Sequence, residues 1–219
     1  MSGSRRDRVA TAIARDRLIP IIRGEDTRSA AARLEAIAAS GIAVIELTAT
    51  IPSANDLLTE YAASGPVLGL GSIRSDAEAR SAIDAGASFL VTPGVLPAVI
   101  ERAREADVFV IVGGFTATEI ITAWDLGADA VKWFPASIGG PRGLRDLRAP
   151  LPHIPLIPTG GVDRTNAEDY LAAGAVALGV GSALGDERED LSDATREWIA
   201  LCHKAFPSIA AAVRSPRHP

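Results

Sequence analysis

Several kinds of residue are scarce in this sequence, and each scarcity excludes a class of protein. A single cysteine, Cys202, rules out a disulfide within the 219 residues and suits a reducing compartment. Aromatic residues make up only 5 %, so an aliphatic core is expected. A formal net charge of −5 argues against non-specific nucleic-acid binding, which requires a strongly basic surface. No apolar run reaches the ~20 residues of a membrane span and no export signal is visible, so we expect a cytoplasmic protein without nucleic-acid or membrane partners.

Lysine is scarce too. Of the 22 basic residues, 20 are arginine, and only Lys132 and Lys204 are lysine. Arginine keeps its proton in proteins, whereas burial can free the amine of a lysine. A lysine kept in an apolar segment of such an arginine-rich chain therefore indicates a position where the amine itself is required.

What the sequence does contain is a regular alternation of short apolar runs and segments of helical spacing. The runs carry almost no charge, which is typical of parallel strands covered on both faces. The eight runs are Leu18–Ile22, Ala43–Leu47, Val67–Gly69, Ser88–Val91, Val108–Val112, Ala130–Phe134, Pro155–Pro158 and Ala175–Gly179. Eight strand–helix units in about 200 residues predict a single-domain α/β protein, a (β/α)8 TIM barrel.

The barrel is expected to span residues 18–206, with an extra N-terminal helix within residues 1–17 and a C-terminal tail over residues 207–219. An open doubly wound sheet is the alternative. The segment after the first run, Ile22-Arg23-Gly24-Glu25, lacks the glycine-rich fingerprint of that fold.

Cap signals delimit the intervening helices. Thr27 precedes a helical segment over residues 28–40. A hydroxyl followed three residues later by an acid predicts capping boxes at Ser75–Glu78, Thr116–Glu119 and Thr165–Glu168. Glycine follows four predicted helices, where a left-handed backbone costs least, at Gly41, Gly86, Gly127 and Gly174.

The second run contains an acid. With a period of two, Val44, Glu46 and Thr48 share one face. Carboxylates are seldom buried without a partner or a task, and barrel active sites lie at the carboxyl ends of the strands. We therefore predict Glu46 as an acid–base residue, with Thr48 beside it in the substrate pocket. The alternative is an ion pair between Glu46 and an arginine at the barrel rim.

Lys132 lies in the sixth run, where it shares a face with Ala130 and Phe134. Apolar surroundings favour the neutral amine of a lysine, which is the nucleophile of Schiff-base enzymes. The alternatives are a lysine that extends to solvent at the rim, or one that binds phosphate as a point charge.

Glycine-rich turns follow the seventh and eighth runs, Thr159-Gly160-Gly161-Val162 and Gly179-Val180-Gly181-Ser182-Ala183. Backbone N–H groups in such turns approach anions closely, and the corresponding loops of barrels often bind phosphate. Two ordinary tight turns are the alternative.

A cation and a hydroxyl, Arg23 and Ser72, end the first and third runs. They suit a substrate carboxylate, or else they are structural partners of Glu46. The three histidines have no ligand spacing among themselves or to Cys202, so no metal is expected.

Six segments, in chain order, resemble the 2-keto-3-deoxy-6-phosphogluconate (KDPG) aldolase family. They are Ile45-Glu46-Leu47-Thr48, Gly69-Leu70-Gly71-Ser72-Ile73, Val91-Thr92-Pro93-Gly94, Val131-Lys132-Trp133-Phe134-Pro135-Ala136, Pro158-Thr159-Gly160-Gly161-Val162 and Gly179-Val180-Gly181-Ser182-Ala183-Leu184. The resemblance extends over roughly residues 9 to 205. It implies a homotrimeric class I aldolase that cleaves the phosphogluconate compound, or its galactonate epimer, to pyruvate and glyceraldehyde 3-phosphate without a cofactor.

The resemblance also implies roles for individual residues. Lys132 matches the Schiff-base lysine and Glu46 the general acid–base. The other matches are Ser72 for the pyruvate carboxylate, Pro93 and Phe134 for the pocket wall, Arg23 for a carboxylate or hydroxyl, and Gly160, Gly161, Gly181 and Ser182 for the phosphate.

Three departures from the family pattern bear on substrate choice rather than on reaction class. Ser72 replaces the usual threonine, Thr50 stands where some members have arginine, and Val112-Gly113-Gly114 stands where Pro-Gly is common. Two other functions remain open at this point: a phosphosugar isomerase or synthase on the same barrel, and a non-catalytic sensor of a phosphorylated ligand.

Overall fold

Eight parallel strands form the centre of the molecule, a computed structural model that describes residues 4–62, 65–185 and 190–205. The strands are β1 (Leu18–Ile22), β2 (Val44–Thr48), β3 (Val67–Gly71), β4 (Phe89–Val91), β5 (Phe109–Gly114), β6 (Ala130–Trp133), β7 (Leu156–Pro158) and β8 (Leu178–Val180). They pair in chain order from β1 to β7, and β8 pairs with β1. A parallel bridge between Thr159 and Gly179 joins the remaining two edges. The predicted TIM barrel is confirmed, and the open sheet is wrong.

Helices surround this barrel. They are α1 (Arg5–Asp16), α2 (Thr27–Ala38), α3 (Ala54–Tyr61), α4 (Asp76–Asp84), α5 (Pro97–Glu105), α6 (Ala117–Asp125), α7 (Ala136–Arg148), α8 (Ala167–Ala172) and α9 (Leu191–Ala205), with a 3-10 turn at Ser182–Leu184. Within the described residues, none of the helices is long and apolar enough to cross a membrane. The predicted tail, residues 207–219, lies outside the described residues.

The predicted strands agree with the observed ones within two residues, except for the last strand, which begins three residues later than expected. The cause is Arg17, whose guanidinium donates to the carbonyl oxygens of Ala175 (2.9 Å) and Val176 (3.3 Å). Their carbonyl oxygens are therefore occupied by Arg17, and β8 begins only at Leu178.

Not every predicted cap forms. Thr116 and Glu119 make the expected reciprocal box. Only half of the Ser75–Glu78 box forms: Ser75 Oγ accepts from Glu78 N at 3.2 Å, but the Glu78 carboxylate accepts from Arg74 N at 2.7 Å rather than from Ser75 N. The third box is wrong, because Thr165 Oγ1 donates to Asp163 instead (2.6 Å) and α8 begins only at Ala167.

The α2 cap is displaced by one residue, since the Asp26 carboxylate rather than Thr27 accepts from Ser29 N (2.9 Å). The four glycines predicted to end helices all adopt positive φ, from 84° at Gly41 to 103° at Gly127.

Strand alternation divides the apolar side chains into two layers. Ile45 and Trp133 face outward into the layer beneath the helices. Val44 and Ala130 face inward, in a second cluster that includes Val9 and Ile13 of α1. Helix α1 thus covers the amino-terminal end of the barrel, and the functional side chains of β2 and β6 must gather at the opposite end.

Candidate active site

All the predicted site residues lie at the carboxyl ends of the strands. Glu46 and Thr48 are on β2 and Lys132 is on β6, whereas the others follow β1, β3, β4, β6, β7 and β8 in turn. In β2 and β6 the interior face alternates through Val44, Glu46, Ala130 and Lys132. Strand order therefore brings the acid and the amine to the same mouth of the barrel, as the sequence predicted.

Lys132 is 7 % exposed, and its Nζ lies 5.3 Å from the centre of the Phe134 ring. Among the residues that the structure describes, none forms a hydrogen bond or an ion pair with this amine. The next residue of the strand, Trp133, is fixed by two contacts with Phe115. Its ring stacks on the Phe115 ring at 5.5 Å, and its Nε1–H donates to the Phe115 carbonyl at 2.9 Å. The result is a fixed strand that presents an amine beside the Phe134 ring and within electrostatic reach of Glu46.

Glu46 is 3 % exposed, and its Oε1 has no hydrogen-bond partner among the described residues. Burial raises the pKa of this carboxyl, while the positive charges of Lys132 and Arg23 act to lower it. Opposed effects of this kind are characteristic of carboxyl groups that exchange protons during catalysis. The alternative role predicted for Glu46 was an ion pair with an arginine at the barrel rim. Among the described residues, Glu46 forms no such ion pair.

Ser72 follows β3 in a left-handed conformation, with φ of 64°, and is partly exposed. It lines a cavity of about 880 Å³ together with Thr50, Arg74 and Pro93. Most of this lining belongs to α3, α4 and the segments that precede them, and neither Glu46 nor Lys132 is part of it. Contact between Ser72 and a substrate carboxylate stays a prediction.

Thr48 is less available than the sequence suggested. It is 1 % exposed, and its hydroxyl is 3.2 Å from the Ile22 carbonyl oxygen and 2.8 Å from Thr50 Oγ1. These bonds tie the end of β2 to that of β1. Direct contact between Thr48 and substrate stays a prediction.

A second cleft, of about 290 Å³, lies between the ends of β7, β8 and β1. It contains all four residues expected at a phosphate: Gly160, Gly161, Gly181 and Ser182. Gly160 and Gly161 have φ of 83° and 82°, a conformation that glycine adopts at little cost and that other residues rarely adopt. An acid also lines the cleft, but the carboxylate of Asp163 accepts from both N and Oγ1 of Thr165.

Arg23 lines this cleft as well, with its Nη1 3.5 Å from where a Cβ on Gly181 would lie. From its position at the end of β1, the sequence predicts that Arg23 contacts a substrate carboxylate or hydroxyl. The sequence does not indicate that Arg23 lies close to the phosphate turns, because that contact depends on the pairing of β1 with β8. Its positive charge also acts on the Glu46 carboxyl, so Arg23 interacts with both the acid–base residue and the cleft of the glycine turns.

Thr92, for which the sequence predicts no role, fixes the loop that carries Pro93. Its hydroxyl accepts from Gly113 N at 3.2 Å and donates to the Gly94 carbonyl at 2.7 Å. A Cβ at Gly113 would lie 2.3 Å from the carbonyl carbon of Pro93. The absence of a side chain at Gly113 therefore lets the Pro93 loop pack directly on β5.

Other reactive groups are few. Within the described part of the chain, no group of three or more His, Cys, Asp and Glu side chains is placed to hold a metal ion. The thiol of Cys202 is buried in α9, which raises its pKa to about 12 and disfavours the thiolate.

The chain is similar to proteins of known family. A family model described as KDPG and KHG aldolase matches residues 9–197. A probable 2-dehydro-3-deoxy-6-phosphogalactonate aldolase of Rhizobium meliloti is 33 % identical over 187 residues, covering 84 % of this chain and 88 % of the relative.

Solved structures give the same result. The 2-keto-3-deoxy-6-phosphogluconate aldolase of Zymomonas mobilis with 3-phosphoglycerate superposes with a TM-score of 0.80 at 27 % identity, covering 89 % of this chain and 96 % of the other. KDPG aldolase from Legionella pneumophila, with pyruvate captured as a covalent carbinolamine intermediate, has a TM-score of 0.74 at 25 % identity. That match covers 90 % of this chain and 97 % of the other.

Proposed function

The chain belongs to the KDPG and KHG aldolase family, and from this premise we propose that it cleaves 2-keto-3-deoxy-6-phosphogluconate, or its galactonate epimer, to pyruvate and glyceraldehyde 3-phosphate. The observation that carries the proposal is the buried, unpaired amine of Lys132 at the same barrel mouth as the buried carboxyl of Glu46. The cleft of about 290 Å³ that is lined by the glycine turns after β7 and β8 and by Arg23 lies at the same end of the barrel.

The reaction begins at Lys132. Its amine attacks the C2 ketone of the substrate, and loss of water gives an iminium. Glu46 then takes the proton of the C4 hydroxyl, directly or through a water. The C3–C4 bond breaks, its electron pair forms the enamine of pyruvate, and the aldehyde leaves. Protonation of the enamine at C3 and hydrolysis of the iminium release pyruvate and restore the amine.

The remaining residues bind the two ends of the substrate. We infer that Ser72 holds the carboxylate of the pyruvyl part and that Pro93 and Phe134 form walls of the pocket. We infer that the turns after β7 and β8 bind the phosphate through backbone N–H groups, since all four glycine and serine residues expected there line one cleft. Binding energy at the phosphate, remote from the breaking bond, orients the substrate for cleavage.

The direct test is pyruvate release, coupled to lactate dehydrogenase, with the gluconate and galactonate epimers supplied side by side. We expect turnover of at least one epimer. A protein that gains thermal stability from both compounds and releases pyruvate from neither would be a sensor rather than an aldolase.

Arg23 offers a sharper test of how the substrate lies. We propose that its guanidinium binds the phosphate, because it shares the cleft of the glycine turns. Arg23→Ala should then lower kcat/KM for the phosphorylated substrate by roughly 10- to 100-fold, the usual cost of a lost hydrogen bond to a charged group. The unphosphorylated sugar acid should lose much less.

Steady-state kinetics of the two substrates with Arg23→Ala measure this difference. Arg28→Ala, an exposed arginine on the neighbouring helix α2, is the matched control. Equal losses for both substrates would place Arg23 on the carboxylate, as the sequence first suggested.

We also propose that the protein is a homotrimer, as the family resemblance implies. The large apolar side chains of Ile121, 41 % exposed, and Ile138, 71 % exposed, are available on the single chain for such a contact. Sedimentation equilibrium should give three times the chain mass of 22.7 kDa, and a monomer mass would exclude the trimer.

A further inference from the structure

Strand β3 carries two glycines on its inward face, and each leaves room for a side chain of a neighbouring strand. A Cβ at Gly69 would lie 2.4 Å from the Phe89 ring, and one at Gly71 would lie 1.9 Å from Glu46 Oε1. Glycine within a strand often marks such a close approach. The second glycine stands against the acid–base carboxyl itself.

At Gly71, the space that a side chain would take is occupied by the Glu46 carboxyl. The three atoms nearest to its hypothetical Cβ are Oε1, Cδ and Cγ of Glu46, at 1.9, 2.7 and 3.1 Å. Gly71 is not among the residues with positive φ, so its backbone suits any amino acid. The reason for glycine at this position is therefore space for the carboxyl.

The backbone of Gly71 has little freedom to retreat. Its carbonyl oxygen accepts from Ala49 N at 2.8 Å, and it is paired in register with Thr48 of β2. The carboxyl, by contrast, has no hydrogen bond on Oε1 from any described residue. Contact with the bare β3 backbone is thus what sets the position of Oε1 on that side.

We propose that Gly71 is a positioning residue: it sets the place of the Glu46 carboxyl at the barrel mouth, and so acts on the cleavage step through Glu46. This inference rests on the proposed function, in which Glu46 takes the C4 hydroxyl proton. A methyl group at position 71 moves the carboxyl by more than about 1 Å, a displacement of a kind that can cost roughly 100-fold in rate.

The variant Gly71→Ala should accordingly lower kcat by roughly 100-fold while pyruvate is still trapped on Lys132 by borohydride. Gly69→Ala is the matched control, because it inserts the same methyl group on the same face of β3 against Phe89 rather than Glu46. We expect it to lower the thermal midpoint with a smaller effect on kcat.

A double-mutant cycle separates positioning from general strain. Glu46→Asp shortens the side chain by one methylene and withdraws the carboxyl from β3. If position 71 acts through the carboxyl, Gly71→Ala should cost less than about tenfold in the Glu46→Asp background, against roughly 100-fold in the native one. Purely structural damage would give the same factor in both backgrounds and would overturn the proposal.

The two proposals fail in different ways. If the native protein releases no pyruvate and traps none, the aldolase function itself is wrong. If the native protein is active and the losses in the cycle multiply independently, only the role of Gly71 is wrong. Comparison of the four thermal midpoints shows whether each variant is folded.

Discussion

Lys132→Arg is expected to abolish the borohydride-trapped pyruvate adduct and to lower kcat by more than roughly 10⁴-fold, a loss typical of a removed covalent nucleophile. Arginine keeps the positive charge and much of the length of lysine. It does not lose its proton in proteins and forms no imine with a ketone. The variant therefore removes the chemistry while leaving a cation next to Glu46 and Phe134.

The chain supplies its own control. Lys204, exposed on α9, is the other lysine in the sequence, so Lys204→Arg should keep both adduct and turnover. Mass mapping of the trapped native protein should find the added pyruvyl group on the peptide that contains Lys132. An unlabelled Lys132 in a native protein that releases pyruvate would exclude Lys132 as the Schiff-base residue.

The fold could be predicted from sequence because its signals are local and repeated. Each strand is a short apolar run, and helix ends such as Gly41 and Gly127 carry the positive φ that their glycines suggested. The errors fall where a distant group competes with the local pattern. The Arg17 guanidinium donates to the carbonyl oxygens of Ala175 and Val176, two residues that the local sequence pattern predicts as part of the last strand.

The candidate site could be predicted in part for the same reason. Period-two alternation places Glu46 and Lys132 inside the barrel, and barrel geometry brings their strand ends together. The association of Arg23 with Gly181 could not be read locally, because it depends on closure of the barrel between β8 and β1.

Gly71 belongs to the family segment Gly69-Leu70-Gly71-Ser72-Ile73, and the sequence alone indicates no role for it. A glycine within a strand can mark a turn, a bulge or a close approach, and the sequence does not distinguish them. The distinction needs the position of the Glu46 side chain, which comes from the neighbouring strand.

Glu46→Gln is expected to lower kcat by about 10²- to 10⁴-fold, the usual contribution of a positioned acid–base group, while the pyruvate adduct on Lys132 still forms. Glutamine has the shape of glutamic acid and fills the space over Gly71, so the loss reports proton transfer rather than packing. Borohydride trapping and the coupled pyruvate assay, run on the same preparation, measure the two effects. Glu101→Gln, exposed on α5, is the matched control.

The pH dependence of kcat tests the same residue independently. Cleavage requires the carboxylate form of Glu46, so kcat should fall as the pH drops through the pKa of that group. Because burial raises this pKa and the charge of Arg23 lowers it, Arg23→Ala should move the acid limb of the profile to higher pH. Glu46→Gln should remove that limb from the residual activity. If instead Glu46→Gln keeps the native turnover, or keeps the acid limb at its native position, the proton acceptor is another group.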